Sequence, residues 1–160
     1  ETALMSYSFP TERRQISNYI YDTLKNEEPE LIKKYNLIPF EMSVQCINRT
    51  LADKIFAVCD YYLQGKAQRN SRHLYDIFKL LNYVEIDEEF VELMMKVREH
   101  RKTVGEKIAP AANENVDILH DSRFYENDYH NTTENIISDE IDYSIVIERY
   151  IQVVKELFEK

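Results

Sequence analysis

The stretch from residue 49 to residue 83 constrains the fold of this chain more than any other part of the sequence. Two runs of apolar residues in it recur at helical spacing. They are Ile55, Val58, Cys59 and Tyr62, and then Leu74, Ile77, Phe78 and Leu81. Gly65 lies between the runs, where glycine accepts the left-handed conformation that ends many helices. The stretch therefore predicts two antiparallel helices joined by a short loop.

Polar residues at the start of each run predict how the two helices begin. Thr50 is placed to cap the first helix, with Asp53 three residues later in the capping-box position. Asp53 would also lie in the first turn, where the helix dipole favours a negative charge. Ser71 is placed to cap the second helix.

Lys54 and Asp76 are the two polar residues of this hairpin that point to chemistry. They are 22 positions apart, so a tight antiparallel pair of helices would bring them to the same end. Basic residues lie between them at Lys66, Arg69, Arg72 and His73. The simpler interpretation is an exposed Arg72–Asp76 pair on one helix face, which stabilises a helix by about 0.2–0.5 kcal/mol. Spacing alone favours that interpretation.

Two motifs in this stretch resemble a known family. Residues 49–63 read Arg-Thr-Leu-Ala-Asp-Lys-Ile-Phe-Ala-Val-Cys-Asp-Tyr-Tyr-Leu, and residues 71–81 read Ser-Arg-His-Leu-Tyr-Asp-Ile-Phe-Lys-Leu-Leu. This pair resembles the second half of the nucleotidyltransferases of the AbiEii/AbiGii toxin family, and the resemblance continues through Asp128-Tyr129 and the last helix. The lysine and the last aspartate of the family's two motifs are functional, and they correspond to Lys54 and Asp76.

The resemblance implies a toxin-like enzyme that transfers a nucleotide from an NTP to an RNA acceptor, often tRNA, with Mg²⁺. It also implies an antitoxin partner and a role in phage defence. Lys54 would balance phosphate charge, and Asp76 would orient Lys54, contact the nucleotide or act as a base. Contacts with the triphosphate or RNA are expected from Arg69, Arg72 and His73.

The metal-binding motifs of the resembled family, a Gly-Ser pair followed by paired acids on a strand, are not in this sequence. Three acid-x-acid pairs occur at Glu85/Asp87, Glu126/Asp128 and Glu140/Asp142, but their positions predict helices or caps. We therefore expect the chain to bind no metal and to be inactive alone. Because it begins at Glu1 and not at methionine, we expect a piece of a longer protein, without the N-terminal nucleotidyltransferase core.

Length and composition predict a single domain over residues 1–160, divided into residues 1–48, 49–83 and 84–160. Only 2 glycines and 4 prolines occur in 160 residues, which favours long helices. The expected fold is mainly α, a compact helical domain of about six helices with one or two short N-terminal strands. No apolar run approaches the ~20 residues of a membrane helix, so we expect a cytoplasmic protein. Cys46 and Cys59 allow one disulfide, but isolated cysteines on apolar faces are more often reduced core residues, which is the expectation here.

The first 48 residues predict an extended segment over residues 1–9 and then two helices and a strand. Pro10 and Thr11 are expected to start a helix whose apolar face is Ile16, Tyr19, Ile20 and Leu24. Pro29 suits the first turn of a second helix, over residues 29–35. The alternating residues Phe40, Met42, Val44 and Cys46 predict a strand with one buried face.

The C-terminal part predicts further helices. Asp87 is expected to cap a helix with the apolar stripe Phe90, Leu93, Met94 and Val97 and the basic outer face Lys96, Arg98, Arg101 and Lys102. Residues 103–115 read as a loop, and residues 116–137 as one or two helices packed through Phe124, Tyr125 and Tyr129. Asp142 is expected to cap a last helix with the stripe Ile145, Val146, Tyr150, Val153, Val154, Leu157 and Phe158.

Charge leaves a second function class open. The net charge is −9, and residues 111–160 hold 12 acids against 4 bases. The remainder is close to neutral, with basic clusters that would suit nucleotide or RNA phosphates. The basic clusters are as consistent with a solvated helical surface. The alternative function is a non-catalytic helical module for protein interaction or oligomerisation, which would use the tyrosine-rich or acidic surface. Nucleotide binding that is lost at high salt would distinguish the first class from the second.

Overall fold

The computed structural model describes residues 10–103 and 119–158, without the side chains of residues 102 and 103. The predicted extended segment 1–9 and the predicted loop beyond residue 103 lie outside the described residues. The described elements are β1 (Thr11–Ile16), α1 (Tyr19–Leu24), α2 (Pro29–Lys34), β2 (Phe40–Gln45), α3 (Ile47–Leu63), α4 (Arg72–Leu80), α5 (Glu88–Thr103), α6 (Glu126–Asp128), a π-helical turn (Tyr129–Thr133) and α7 (Tyr143–Phe158). The predicted mainly α fold with short N-terminal strands is confirmed.

The chain divides into two compact units, Glu1–Cys46 and Ile47–Lys160. The single domain over residues 1–160 stays a prediction. In the described ranges, no helix combines the length and the apolar character that a bilayer crossing requires.

The first unit contains a two-stranded antiparallel sheet. β1 and β2 pair with Thr11 opposite Gln45 and Ile16 opposite Phe40, and α1 and α2 lie between the strands in the chain. Asn18 caps α1, because its side-chain oxygen accepts a hydrogen bond of 2.9 Å from the Tyr21 N–H. Pro29 begins α2 as predicted. Ile32 is the one buried side chain in the described part of this unit.

Two predictions for this unit are wrong. Thr11–Ile16 is a strand and not the start of a helix, because pairing with β2 overrides a weak local preference. The strand over Phe40–Gln45 is confirmed, but its apolar face is not buried: Phe40 is 59% and Met42 44% exposed. Alternation identifies the side chains that share a face; it does not identify what covers that face.

The second unit has the helical core that the apolar stripes predict. The buried residues include Ile55, Val58 and Cys59 of α3, Leu74 and Ile77 of α4, Phe90, Leu93, Met94 and Val97 of α5, and Val146, Tyr150, Val153, Val154 and Leu157 of α7. Ile145 departs from the predicted stripe, because it is 49% exposed.

Buried tyrosines tie the helices of this unit together through their hydroxyl groups. Tyr125 donates to the Val58 carbonyl at 2.7 Å, and Tyr150 donates to the Ile55 carbonyl at 3.3 Å. Tyr129 donates to the Ile141 carbonyl at 3.0 Å. Each ring buries apolar area while its polar atom keeps a partner, which is the condition for burying a tyrosine at low cost. The predicted packing roles of Tyr125 and Tyr129 are confirmed.

The helix ends agree with the predictions at three positions. Gly65 follows α3 with φ of 67°, and the hydrogen bonds from Gly65 N to Tyr62 O and from Lys66 N to Tyr61 O form a Schellman motif. Asp87 accepts from the Phe90 N–H at 2.8 Å and caps α5. Asp142 accepts from the Ser144 N–H at 2.8 Å and caps α7.

The predicted caps at Thr50 and Ser71 are wrong. α3 begins at Ile47, so Thr50 is inside it, and Asp53 pairs with Arg49 at 2.9 Å. Ser71 does precede α4, but its hydroxyl makes no cap hydrogen bond. It instead donates to Asp128, which is distant in sequence.

The predicted basic outer face of α5 is wrong at two positions. Arg101 turns inward, pairs with Asp60 of α3 and lies 4.9 Å from the centre of the Phe56 ring. Arg98 lies 5.8 Å from the centre of the Phe158 ring. Long arginine side chains cover apolar surface in this way, while the guanidinium stays paired with an acid or partly exposed to solvent. Lys96 is exposed as expected, and the side chain of residue 102 lies outside the described residues.

Candidate functional site

Lys54 and Asp76 meet where α3 packs against α4. The Lys54 Nζ donates to Asp76 Oδ2 at 2.6 Å, although the two residues are 22 positions apart. Lys54 on α3 is followed by the buried Ile55, and Val58, which is also buried, lies one turn further along; Asp76 precedes the buried Ile77 of α4. Packing of the apolar stripes of the two helices therefore holds Lys54 and Asp76 next to each other.

His73 is the third member of this cluster. Its Nδ1 lies 3.4 Å from the Lys54 Nζ and 3.8 Å from Asp76 Oδ2. Its ring stacks on Tyr61, with centroids 5.6 Å apart and planes 4° from parallel. The His73 side chain is only 11% exposed. The stacking fixes the direction in which Nδ1 points.

The cluster holds a charged lysine without enclosing it. Burial alone would raise the pKa of Asp76, but the nearby His73 ring and the hydrogen bond and charge of Lys54 lower it below its ordinary value. Asp76 is therefore a carboxylate at neutral pH. The ammonium of Lys54 has three N–H donors; one reaches Asp76 and one points to His73. The Lys54 side chain is 27% exposed, so the cluster is partly open to solvent.

Arg69 and Arg72 are not brought into this cluster. Both residues are exposed, and in the part of the chain that the structure describes no contact joins either guanidinium to Lys54, His73 or Asp76. They flank the start of α4 on the solvent side. Arg69 has φ of 63°, an uncommon conformation for a residue with a side chain. The backbone N–H of Arg69, and not its guanidinium, makes a hydrogen bond to a defined partner.

That partner is Asp128, a buried residue whose structural role the sequence analysis missed. Asp128 Oδ1 accepts from the Arg69 N–H at 2.9 Å and from the Thr132 hydroxyl at 3.0 Å. Its Oδ2 accepts from the Ser71 N–H at 3.2 Å and from the Ser71 hydroxyl at 2.6 Å. The Thr133 hydroxyl lies 2.7 Å from the Ser71 hydroxyl and completes the network. Asp128 thus fixes the loop that leads into the site helix α4.

Hydrogen bonds keep Asp128 charged although it is only 8% exposed. Burial acts to raise the pKa of Asp128, but the hydrogen bonds from Ser71, Arg69 and Thr132 outweigh it and lower the pKa. The local signals at this position were the acid-x-acid pair Glu126/Asp128 and the resemblance at Asp128-Tyr129, and neither points to a role in holding the loop. Because the loop partners of Asp128 are 57 and 59 residues away, no spacing rule could identify them.

The described residues do not fit a divalent metal ion. Mg²⁺ prefers several oxygen ligands in octahedral geometry, and no group of three or more Asp, Glu, His or Cys side chains suitable for a metal occurs in the described ranges. Asp76 is paired with an ammonium that would repel a cation. Asp87 and Asp142 are helix caps, and the Asp128 oxygens are occupied by protein donors.

Comparison with known proteins identifies the family. No curated protein matches the chain. No solved structure matches it either. A family model described as "Nucleotidyl transferase AbiEii toxin, Type IV TA system" matches residues 3–157. The match covers almost the whole chain, and so this chain belongs to the AbiEii family of nucleotidyl transferase toxins of type IV toxin–antitoxin systems.

Proposed function

We propose that Lys54, His73 and Asp76 form the helical part of a site that transfers a nucleotide from an NTP to an RNA acceptor, with tRNA as the favoured acceptor. The observation that carries this proposal is the 2.6 Å contact between Lys54 and Asp76 across two helices. The resemblance implies that these two residues are the family's functional lysine and aspartate, and the contact supports a role for both at one partly exposed point. Family membership supports a nucleotide as the substrate.

Lys54 would bind the triphosphate, and Asp76 would orient Lys54. A general base works best with a pKa near the operating pH. The lowered pKa of Asp76 makes it a weak base, so orientation of Lys54 is the role that the electrostatics favour. His73 would limit the positions open to the ammonium, since its stacked ring faces Nζ.

Mg²⁺ would be needed by the complete enzyme, as the resemblance implies, but the described residues do not suit it. The sequence also lacks the Gly-Ser pair that would cradle the phosphates. We propose that residues outside this sequence supply the metal ligands and the phosphate cradle. This chain would supply the side of the site that holds Lys54 and no metal ligands. An antitoxin partner, a phage-defence role and a cytoplasmic location belong to the same proposal.

A non-catalytic interaction module is the second candidate. The observation that favours it is a set of exposed apolar side chains in the first unit, where Ile38 is 56%, Phe40 59% and Met42 44% exposed. A partner or a second copy could cover them. Self-association in sedimentation experiments that is lost in Phe40→Ser, together with no binding of any NTP, would favour this candidate.

NTP binding by the chain tests the proposed site. We expect each NTP to bind without Mg²⁺, with an affinity that falls as salt rises. Lys54→Met should weaken binding about tenfold, or about 1.4 kcal/mol, because it removes a charge and preserves most of the side-chain volume. Calorimetric titration measures the change.

Lys79→Ala is the matched control, because Lys79 also forms a 2.7 Å pair with an aspartate, Asp139, and lies on the same helix as Asp76. Equal NTP affinities of Lys54→Met and Lys79→Ala would overturn the assignment of Lys54.

A further inference from the structure

A groove in the second unit lies beside the loop that leads into α4. Its volume is about 390 Å³, and its lining includes Gln68, Phe124, Asn127 and Asn131 with Asp128. That volume is within the range of about 300–1,000 Å³ that is typical of small-ligand sites. The groove is not used by the Lys54 cluster, and neither its position nor its lining follows from family membership.

The groove presents carboxamides whose hydrogen-bonding groups are only partly used. The Asn131 Nδ2 donates to the Asn127 carbonyl at 2.7 Å and to Asn127 Oδ1 at 2.9 Å. This leaves Asn131 Oδ1, Asn127 Nδ2 and the whole Gln68 carboxamide without a protein partner among the described residues. Paired donors and acceptors of this kind match the edges of nucleobases.

One wall of the groove is an aromatic ring that is held in place. Phe124 meets Tyr62 edge-to-face at 5.1 Å and Tyr125 edge-to-face at 4.8 Å. It is half-buried, so part of the ring still borders the groove. Unpaired bases bind proteins by stacking on such rings while amides contact their edges.

The charges of the groove argue against an ionic ligand. Among the described residues that line the groove, Asp128 is the one with a charged side chain, and its two oxygens already accept four hydrogen bonds from the protein. This carboxylate would repel a phosphate. Its oxygens are already hydrogen-bonded to the protein, so they are poor ligands for a cation. The cationic groups are outside the groove: Arg69 follows Gln68 directly, and Arg72 begins α4; both are exposed. A base in the groove would therefore leave its phosphates near Arg69.

Asp128 makes the groove a preformed site. The carboxylate that lines the groove also accepts hydrogen bonds from the Arg69 N–H and the Ser71 hydroxyl. These residues lie one and three positions after Gln68 in the loop. Little ordering of this wall would be required on binding, and preorganisation of this kind raises affinity.

We propose that this groove binds an unpaired nucleobase, while Arg69 and Arg72 contact the adjoining phosphates. The base comes from the acceptor RNA or from the incoming NTP. This inference rests on the proposed nucleotide-transfer function and adds a recognition site to it.

Binding of short single-stranded RNA to the full chain, measured by fluorescence anisotropy, tests this proposal. The probe is used in two forms of equal length and charge, one with bases and one abasic. We expect the wild type to prefer the base-bearing form about tenfold, which is within the range for one stacked base. Gln68→Ala and Phe124→Leu should each remove most of this preference. Arg69→Ala should weaken both forms equally.

Asn135→Ala and Gln152→Ala are the matched controls, because both residues are exposed carboxamides outside the groove lining. They should keep the preference. Gln68 is exposed and its side chain has no partner in the described residues, so Gln68→Ala remains informative even if Phe124→Leu fails to fold.

Competition identifies the source of the base. Displacement of the base-bearing RNA by NTPs but not by tripolyphosphate would assign the groove to the NTP base, and no displacement would assign it to the RNA strand. An unchanged preference in Gln68→Ala and Phe124→Leu, or no preference in the wild type, would overturn the groove assignment. Those results leave the proposed transfer function intact, because Lys54→Met tests it separately.

Discussion

Asp128 holds the loop that leads into the site helix α4. It lies outside the Lys54 cluster, yet it holds the Arg69 and Ser71 backbone immediately before α4, which carries His73 and Asp76. Arg69 has a left-handed backbone conformation, which costs free energy. The hydrogen bond from its N–H to Asp128 offsets that cost. The loop and the first turn of α4 therefore depend on one buried carboxylate.

Replacing Asp128 by asparagine should destabilise the protein by about 2 kcal/mol at pH 7. The amide keeps one acceptor oxygen, but its NH₂ group would face donors on Ser71 that then lose their partner. Urea denaturation of Asp128→Asn and the wild type measures the difference. Asp121→Asn is the control, because Asp121 is exposed. Equal losses in the two variants would contradict the role given to Asp128.

The same comparison should depend on pH. The pKa of Asp128 is lowered on folding, whereas an aspartate in the unfolded chain titrates near pH 3.9. The stability that the carboxylate contributes is therefore complete above about pH 5 and is lost as the pH falls through the folded-state pKa. We expect the difference in free energy of unfolding between wild type and Asp128→Asn to shrink from pH 7 to pH 3. A constant difference would mean that the charge of Asp128 contributes nothing.

Residue-scale prediction from sequence succeeded where the signal was local. Asp87 and Asp142 were recognised as caps, and Gly65 as a helix stop, because each acts within four residues of its own position. Lys54 and Asp76 were expected at the same end of the hairpin because of their spacing, and the resemblance to a family supplied their expected role. The contacts of Asp128 and Arg101 were missed, because their partners are 57–59 and 41 residues away.

At the scale of elements, the contact between α3 and α5 depends on an inward arginine. Arg101 pairs with Asp60, and the two side chains are 13% and 17% exposed. Removing one partner of a largely buried ion pair leaves the other charge without compensation and costs several kcal/mol. An exposed pair on the same helix contributes much less.

Arg101→Met should therefore destabilise the protein by about 3 kcal/mol, whereas Lys96→Met should cost under about 1 kcal/mol. Lys96 is the matched control, since it lies on the same helix and pairs with Glu92 at 3.3 Å while remaining exposed. Chemical denaturation measures both. If the two variants lost the same stability, Arg101 would be a surface residue as the sequence first indicated.

Elements were predicted well where apolar residues recurred along one face of a helix at a spacing of 3.6 residues. The stripes of α4 and α5 predicted the buried core of the second unit. β1 was predicted as a helix, because Thr-Glu-Arg-Arg-Gln-Ile has no period-2 apolar pattern. Its strand conformation comes from the ladder with β2, whose register a sequence pattern cannot supply.

At the scale of the whole molecule, the two units differ in how much they bury. The described part of the first unit has one buried side chain, Ile32, whereas the second unit contains buried residues on α3, α4, α5 and α7. Local opening costs little free energy where few apolar contacts must be broken.

Amide hydrogen exchange should therefore divide the chain at residue 46. We expect the amides of β1, α1, α2 and β2 to exchange much faster than those of α3 and α7, which should approach the protection of global unfolding. Mass spectrometry of exchanged peptides resolves the two groups. Equal protection of β2 and α3 would show that the first unit is stabilised by more than its own buried residues.

The measurement that tests the central proposal most directly is nucleotide transfer by the full-length gene product that carries this sequence. Labelled NTPs, Mg²⁺ and a tRNA pool are the substrates. We predict that Lys54→Met and Asp76→Asn each lower transfer by about 100-fold or more while keeping the wild-type unfolding transition. Lys79→Ala should transfer at the wild-type rate. Wild-type transfer by Lys54→Met and Asp76→Asn would contradict the account and would leave the 2.6 Å pair as a structural contact alone.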